Sequence, residues 1–482
     1  MELPPQNRKS LHPMPFFFRK LDAIDKYIAT NICGSYALLD SREELENVVF
    51  SRTDKLSSGR LDELTAKSFL ATECEYKSRL SLVGSKYASI LNGGIIAPGL
   101  FLVNPTLRCD HDCKYCQVSR VGVAKSGFDI AESSIDKIVS IIDEIPNREI
   151  KIEFQGGEPL LEFYYIKKFV DKAEKALGDR KVSYVICTAS GPMNEEVVNW
   201  ARDHNVVFST SLDGPKFVHD FNRPAREFSA YDNTITWIKR LQESLGQHSV
   251  GCLATVTRKG LEYPIDTVRE YFNLDLEGVF LRPLSPFGFA STLWDRLGYS
   301  AKEFFLFYKA ALDEVIRLNE FRTFVEEMAL VHLRKIFRAG TSGYADLKSP
   351  SGYLMGGMSF NYDGNVFGSD ESRMLWESTK ARELVLGTID DSAEKLLTNI
   401  NAIEVLSDTI VGTTPGCDEC AYQPYCGADP LFHLATQGDH IGDKSKSFFC
   451  QLERMLFDHL FCLYDTSDQA RKVFDQWLCL SE

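Results

Sequence analysis

The stretch RCDHDCKYCQVSR, residues 108–120, sets Cys109, Cys113 and Cys116 within eight positions, with three residues and then two between them. A closed structural zinc site takes four ligands and disulfides take pairs, so a triplet points to a metal centre with one coordination position left open. Three thiolates satisfy three irons of a cubane iron-sulfur cluster and leave the fourth free to bind something else, which makes the cluster a reagent. A zinc ion completed by His111 or Asp110 is the competing use of the same stretch. A second concentration of thiols, Cys417, Cys420, Cys426 and Cys450, lies near the C-terminus. Cys33, Cys74, Cys187, Cys252, Cys462 and Cys479 sit in apolar or mixed surroundings and read as core or surface filler.

Such a triplet needs a scaffold that converges other groups upon it. From about residue 100 to 285, short β-rich runs (GLFLVNPTL, EIKIEFQ, KVSYVICTAS, VVFSTSLDG, SVGCLATVT, GVFLRPL) alternate with stretches such as SSIDKIVSIIDEI, whose apolar residues recur at three and four. A parallel strand needs a crossover to return, so six such units predict an α/β fold with a parallel sheet. Right-handed crossovers curl it toward a partial (β/α)6 barrel of the TIM type. The triplet follows the first strand, and QGGEP, TASGP and SLDGP follow the second, third and fourth. All therefore fall at C-terminal strand ends, where α/β folds bind ligands. One Gly-Pro turn alone would be punctuation; four on one face predict a site.

Residues 1–95 read as a small α+β accessory unit, 96–290 as the barrel core, and 291–482 as a helical linker with a C-terminal extension. In the last, MSFNYDGNVFGS predicts a hairpin around Asp363-Gly364, and FCQLERMLFDHLFCLYD a closing amphipathic helix. The 482 residues allow about two to four domains at 100 to 200 residues each. A hydrophobic share of 44% with 25% charged residues is ordinary for a globular chain, and no apolar run approaches the ~20 residues of a membrane span. The N-terminus shows no signal-peptide pattern, so a cytoplasmic protein is expected, whose 13 Cys would stay reduced. A net charge of −14 argues against nucleic acid or anionic membrane as partner and favours a peptide or small molecule.

Cys109, Cys113 and Cys116, with aromatic Tyr115 before the last, resemble the signature of the radical S-adenosylmethionine (SAM) superfamily. The resemblance implies a 4Fe-4S cluster whose open iron chelates SAM, reductive cleavage of SAM, and a 5'-deoxyadenosyl radical that abstracts a substrate hydrogen. It further implies that Gln155, Gly156, Gly157 and Glu158 receive the methionyl ammonium, that Ser211 bonds the ribose, that Asp213 supports its loop, that Arg223 faces the SAM carboxylate and that Leu284 packs near the adenine. At TASGP the chain departs from the Thr-Asn-Gly of many relatives, with Ala189 in place of Asn.

CDECAYQPYC, with Cys450 after 23 intervening residues, resembles the SPASM extension of peptide-modifying members. The full pattern expects further Cys where this chain has Ser369 and Pro430, and one near Tyr353. The resemblance thus implies one auxiliary 4Fe-4S cluster held by Cys417, Cys420, Cys426 and Cys450, with a four-thiolate zinc site as the competing occupant. By the same match Asp370 would be a catalytic base. The opening FLVNPTLRC, the run YCQVSR and the depleted extension most resemble the His-Xaa-Ser system radical SAM maturases (HxsB). That implies modification of a ribosomally made His-Xaa-Ser repeat peptide, a second radical SAM maturase as partner, a low-potential donor such as a ferredoxin or flavodoxin, and an N-terminal unit that captures a leader peptide or caps the barrel. A sulfatase-maturase-like formylglycine-forming enzyme and a non-catalytic metal-stabilised peptide-binding scaffold are the alternatives.

Overall fold

The computed structural model describes residues 10–94, 97–338 and 345–480. Its centre is a run of six parallel strands, β1 (Leu100–Thr106), β2 (Glu149–Gly156), β3 (Lys181–Cys187), β4 (Val206–Ser211), β5 (Val250–Thr255) and β6 (Gly278–Arg282), each hydrogen-bonded to the next. β2 shows why the pattern works. Ile150, Ile152 and Phe154 are buried against the helical layer, while Lys151, Glu153 and Gln155 alternate onto the opposite face, so one strand feeds both the core and a polar interior.

Helices Ser134–Glu144, Phe163–Ala176, Glu195–Asp203, Ala230–Leu245 and Pro264–Asn273 make the crossovers. Their starts are chemically marked: the Asn194 side chain accepts from Val197 N, that of Ser229 from Asp232 N, and Pro264 opens the last. The ladder also grows at both edges. Val325–Glu326 lies parallel to β6, and Gly357–Phe360 lies parallel to β1. Asn365–Phe367 and Val385–Thr388 continue antiparallel, giving a ten-stranded sheet.

The expected Asp363-Gly364 hairpin is present, with Gly364 at φ 85°, but it is welded to the edge of the main sheet and does not stand apart from it. Val366 and Phe360 bring apolar side chains to the same core as β1, which is a larger gain than a separate hairpin could make.

The N-terminal unit is a three-stranded antiparallel sheet (Phe17–Leu21, Lys26–Thr30, Tyr36–Leu39) with helices Arg42–Val49 and Ser58–Ala66, a small ladder of Leu11–Pro13 with Leu70–Thr72, and the long helix Glu73–Gly94. It has its own small core around Leu39, Leu64 and Phe69. Its second face is spent on the C-terminal region: Leu21 and Ile28 pack with Tyr422, Tyr425, Phe457 and Phe461. Arg19 forks onto Asp458 at 2.9 Å, and Lys26 reaches Asp465 at 2.9 Å. The closing amphipathic helix, Phe448–Thr466, packs its buried stripe on helix Ala301–Leu318. Among the described residues no helix is long and apolar enough to cross a membrane.

Candidate radical SAM site

The cysteine loop is pinned from three sides. Asp112 N donates to Pro224 O at 2.8 Å, Lys114 N to Asn222 O at 2.9 Å, and Phe289 N to Cys116 O at 2.8 Å. Gly157 N and Glu158 N in turn donate to Thr106 O and Arg108 O, each at 2.8 Å, which clamps the end of β2 against the start of the loop. Both glycines there are obligatory. Gly156 has φ 118° and an added Cβ would stand 2.3 Å from Thr106 O; at Gly157 it would stand 2.2 Å from Arg108 O.

The strand ends enclose a cavity of about 260 Å³. Its wall unites Cys109, Cys113, Cys116 and Tyr115 with Gln155, Gly156 and Gly157 from β2, Ser211 from β4, and Arg223. Nine of the positions singled out in the sequence thus meet at one place.

Tyr115 organises the floor. Its hydroxyl donates to Asp213 at 2.8 Å and accepts from Arg223 Nε at 2.7 Å, while Asn222 and Thr255 N also donate to the Asp213 carboxylate. Burial pushes the Asp213 carboxyl up, with Arg223 opposing; burial also works against the Arg223 charge, yet Tyr115, Cys113 and Asp213 hold its pKa well above the usual value. Asp213 itself stands behind the wall, as do Glu158, Leu284 and Asp370. Fully buried Glu158 braces β2 to β3, accepting from Leu160 N at 3.1 Å, Thr188 Oγ1 at 2.8 Å and Ala189 N at 2.8 Å. Burial, aided by nearby Asp110, raises its carboxyl to about 8. Leu284 is fully buried and its N–H donates to Tyr299.

The three thiols are raised by burial, Cys113 to about 12. A buried group of thiols at neutral pH is therefore protonated until a cation draws the protons off, which is how a metal centre loads. Cys109, Asp110 and His111 have donor atoms within 4.8 Å of one another, a group that holds only one of the three thiols. His111 Nδ1 is 2.8 Å from Asp110 Oδ1, and buried His111 Nε2 has no hydrogen-bond partner although the residue lines the cavity.

Asp370 is the first residue of helix Asp370–Thr379 and is bound by Arg373 at 2.7 and 3.2 Å. The neighbouring Ser369 is the N-cap, accepting from Ser372 N. Pro430 opens helix Pro430–Gln437 behind the Asp429 cap, and Tyr353 packs so closely on Gly368 that a Cβ there would meet its ring at 2.5 Å. Each place where the resemblance expected another thiol has a structural task. Cys417, Cys420, Cys426 and Cys450 lie together away from the cavity. Burial first, then Glu453 and the other three thiols, hold Cys426 well above its ordinary pKa.

The cavity also holds His111, which the sequence offered only as a zinc ligand, and four residues that sequence reasoning passed over as site members: Arg120, Cys187, Arg282 and Met374. Cys187 and Arg282 close their strands at the C-terminal end, a positional signal that was legible. Met374 gave none, because it arrives from the distant helix Asp370–Thr379.

Residues 103–253 match the model of the radical SAM superfamily. A cysteine-type anaerobic sulfatase-maturating enzyme of Clostridium novyi is 23% identical over 366 residues, covering 72% of this chain and 91% of that protein. The radical SAM cyclopropyl synthase TigE of Paramaledivibacter caminithermalis is 26% identical over 152 residues, 28% of this chain and 31% of its own. Two uncharacterized archaeal relatives, from Methanocaldococcus jannaschii and Methanothermobacter thermautotrophicus, are matched over only 62% and 45% of their lengths. In fold the chain resembles anSMEcpe with bound AdoMet (TM-score 0.64, 16% identity, 78% of this chain and 99% of that one) and Streptococcus suis SuiB bound to precursor peptide SuiA (0.53, 12%, 90% and 98%).

Proposed function

We propose that this chain is a radical SAM maturase that modifies a ribosomally made peptide, of the His-Xaa-Ser repeat type. The observation that carries the reading is the single cavity joining three thiols to a glycine-lined strand end, Ser211 and Arg223. Cys109, Cys113 and Cys116 would hold a 4Fe-4S cluster with SAM on its open iron, and together these supply a hydrogen-abstracting carbon radical when bound. The protein's share is placement: Gly156 and Gly157 let backbone approach the ligand, Ser211 offers a hydroxyl, and Arg223, fixed by Tyr115 and Asp213, presents a positive charge to a carboxylate.

Cys417, Cys420, Cys426 and Cys450 would hold one auxiliary 4Fe-4S cluster. Zinc at about 2.3 Å from each sulfur would need sulfurs roughly 3.8 Å apart. Metal analysis of the reconstituted chain, iron with sulfide against zinc alone, separates the two occupants. Asp370 would serve as base only after release from Arg373. A ferredoxin or flavodoxin as donor, a second radical SAM maturase as partner, a cytoplasmic setting and the division at 95 and 290 complete the proposal.

The peptide-bound relatives in fold support a peptide substrate. A formylglycine-forming sulfatase maturase is the second reading, favoured by the long match to the Clostridium novyi protein. Oxygen-free reconstitution with iron and sulfide, reduction by dithionite and addition of SAM should release 5'-deoxyadenosine. Absence of that product would sink the enzyme reading and leave the scaffold. Co-expression with a short His-Xaa-Ser peptide, against a Cys-bearing sulfatase peptide, should show a mass change in the first alone.

A further inference from the structure

We propose that Asp171, Glu174 and His204 form a binding site for a divalent transition cation, manganese or zinc, that clips helix Phe163–Ala176 to the turn leading into β4. The site lies outside the cavity and does not rest on the function proposed above. The imidazole of His204 and the carboxylates of Asp171 and Glu174 have donor atoms within 4.8 Å of one another, with His204 Nδ1 2.9 Å from Glu174 Oε1. One nitrogen and two carboxylate oxygens make a donor set that such cations take, with water completing the shell. Asp171 and Glu174 stand three residues apart on one face of the last turns of their helix, and His204 is the C-cap of helix Glu195–Asp203. Two helix C-termini thus bring their negative ends to one place, which favours a cation there.

The protein's own groups leave this charge unanswered. Among the described residues Asp171 makes no ion pair, and the lysines of its helix are engaged elsewhere: Lys167 with Glu196 at 2.6 Å, Lys168 with Glu132 at 2.6 Å and Lys172 with Asp136 at 2.7 Å. Lys175, the last of them, pairs with neither carboxylate. Tyr184 is an independent mark. It lies on the helix-facing side of β3, is 4% exposed, and its buried hydroxyl has no hydrogen-bond partner. In register it sits beside Val206, two residues past His204, and the charge that bears on its hydroxyl is that of Glu174, so it faces the same group from the sheet. Water on the bound cation supplies the partner that this hydroxyl lacks. Trp200 lies against His204 with ring centroids 4.9 Å apart and fixes the imidazole plane, while Glu174 is 45% exposed and open to an arriving ion. Loading exchanges the proton shared by His204 Nδ1 and Glu174 for the metal.

The test uses the full chain and manganese(II), a hard cation that suits carboxylates and passes over thiols, so the outcome does not depend on what the C-terminal cysteines hold. The fall of the free ion's electron paramagnetic resonance signal on titration measures what is bound, and pulsed spectra of the bound ion report a coordinated imidazole nitrogen. The wild type should bind a single manganese per chain and show that nitrogen. His204→Ala should remove the nitrogen signature, and both His204→Ala and Glu174→Gln should raise the dissociation constant by about tenfold or more. Glu195→Gln, an exposed acid at the other end of helix Glu195–Asp203, should leave binding unchanged. No bound manganese at roughly 1 mM, a bound ion without the nitrogen signature, affinity that survives His204→Ala or Glu174→Gln, or an equal loss in Glu195→Gln would each overturn the site.

Discussion

At the scale of single residues the site is a problem of close approach and buried charge. Gly157 has no space for a methyl group, because Arg108 O already occupies it. Gly157→Ala should cost about 1–3 kcal/mol as an overpacked site, read from the urea midpoint, and should abolish release of 5'-deoxyadenosine by moving the end of β2. Cys113→Ala should abolish that release outright while leaving the C-terminal thiols able to load iron, which metal analysis would show.

Glu158 gives a pH signature. Its folded pKa of about 8 lies above the ordinary 4.5, so the folded state holds a proton that the unfolded state releases. Its contribution is therefore full below about pH 4.5 and declines as pH rises toward 8. Glu158→Gln keeps most of the bracing contacts without a titrating group. Its urea midpoint should fall less than that of the wild type between pH 5 and 8, and parallel profiles would contradict the assignment.

At the scale of elements, the losses from the expected thiol pattern are explained by helix starts. Ser369 caps helix Asp370–Thr379 with a reciprocal Ser372 contact, and Ser369→Ala should cost about 1 kcal/mol, again measurable by urea. The alternating runs from Leu100 to Arg282 were legible as six parallel strands because period-two burial and turn chemistry are local properties. The two extra parallel pairings, Val325–Glu326 with β6 and Gly357–Phe360 with β1, were not. Partners that meet only in the folded chain, over 200 residues apart for β1 and about 50 for β6, leave no local trace, and short edge strands carry little periodicity. Nor was the burial of Glu158 legible in its sequence neighbourhood: whether its carboxylate faces a ligand or the strand beside it depends on how β2 and β3 meet.

At the scale of the whole molecule, the N-terminal unit and the C-terminal thiols form one assembly. Tyr422 and Tyr425 sit between Cys420 and Cys426 in sequence and fill the interface with the N-terminal sheet. Thr30 donates to Ala421 O, Tyr425 donates to Gly34 O at 3.1 Å, and Tyr422 joins the Asp458 that Arg19 grips. Losing the metal that these thiols would hold should therefore loosen the N-terminal sheet. Amide exchange across residues 17–39 should speed up in Cys420→Ala relative to wild type, while β1 to β5 stay protected. Uniform exchange in both proteins would show that the loop is rigid without metal.

The sequence by itself determined the cysteine triplet, the parallel strands that carry it and the glycines beside it, since spacing and periodicity are written in adjacent residues. Tertiary structure alone decided which of the named side chains face the cavity, that Asp370 is held by Arg373 within its own helix, and that Cys187 shares a wall with the triplet. The reason is geometric: burial and facing arise where strands and helices remote in sequence close upon one another, and no local pattern encodes that meeting.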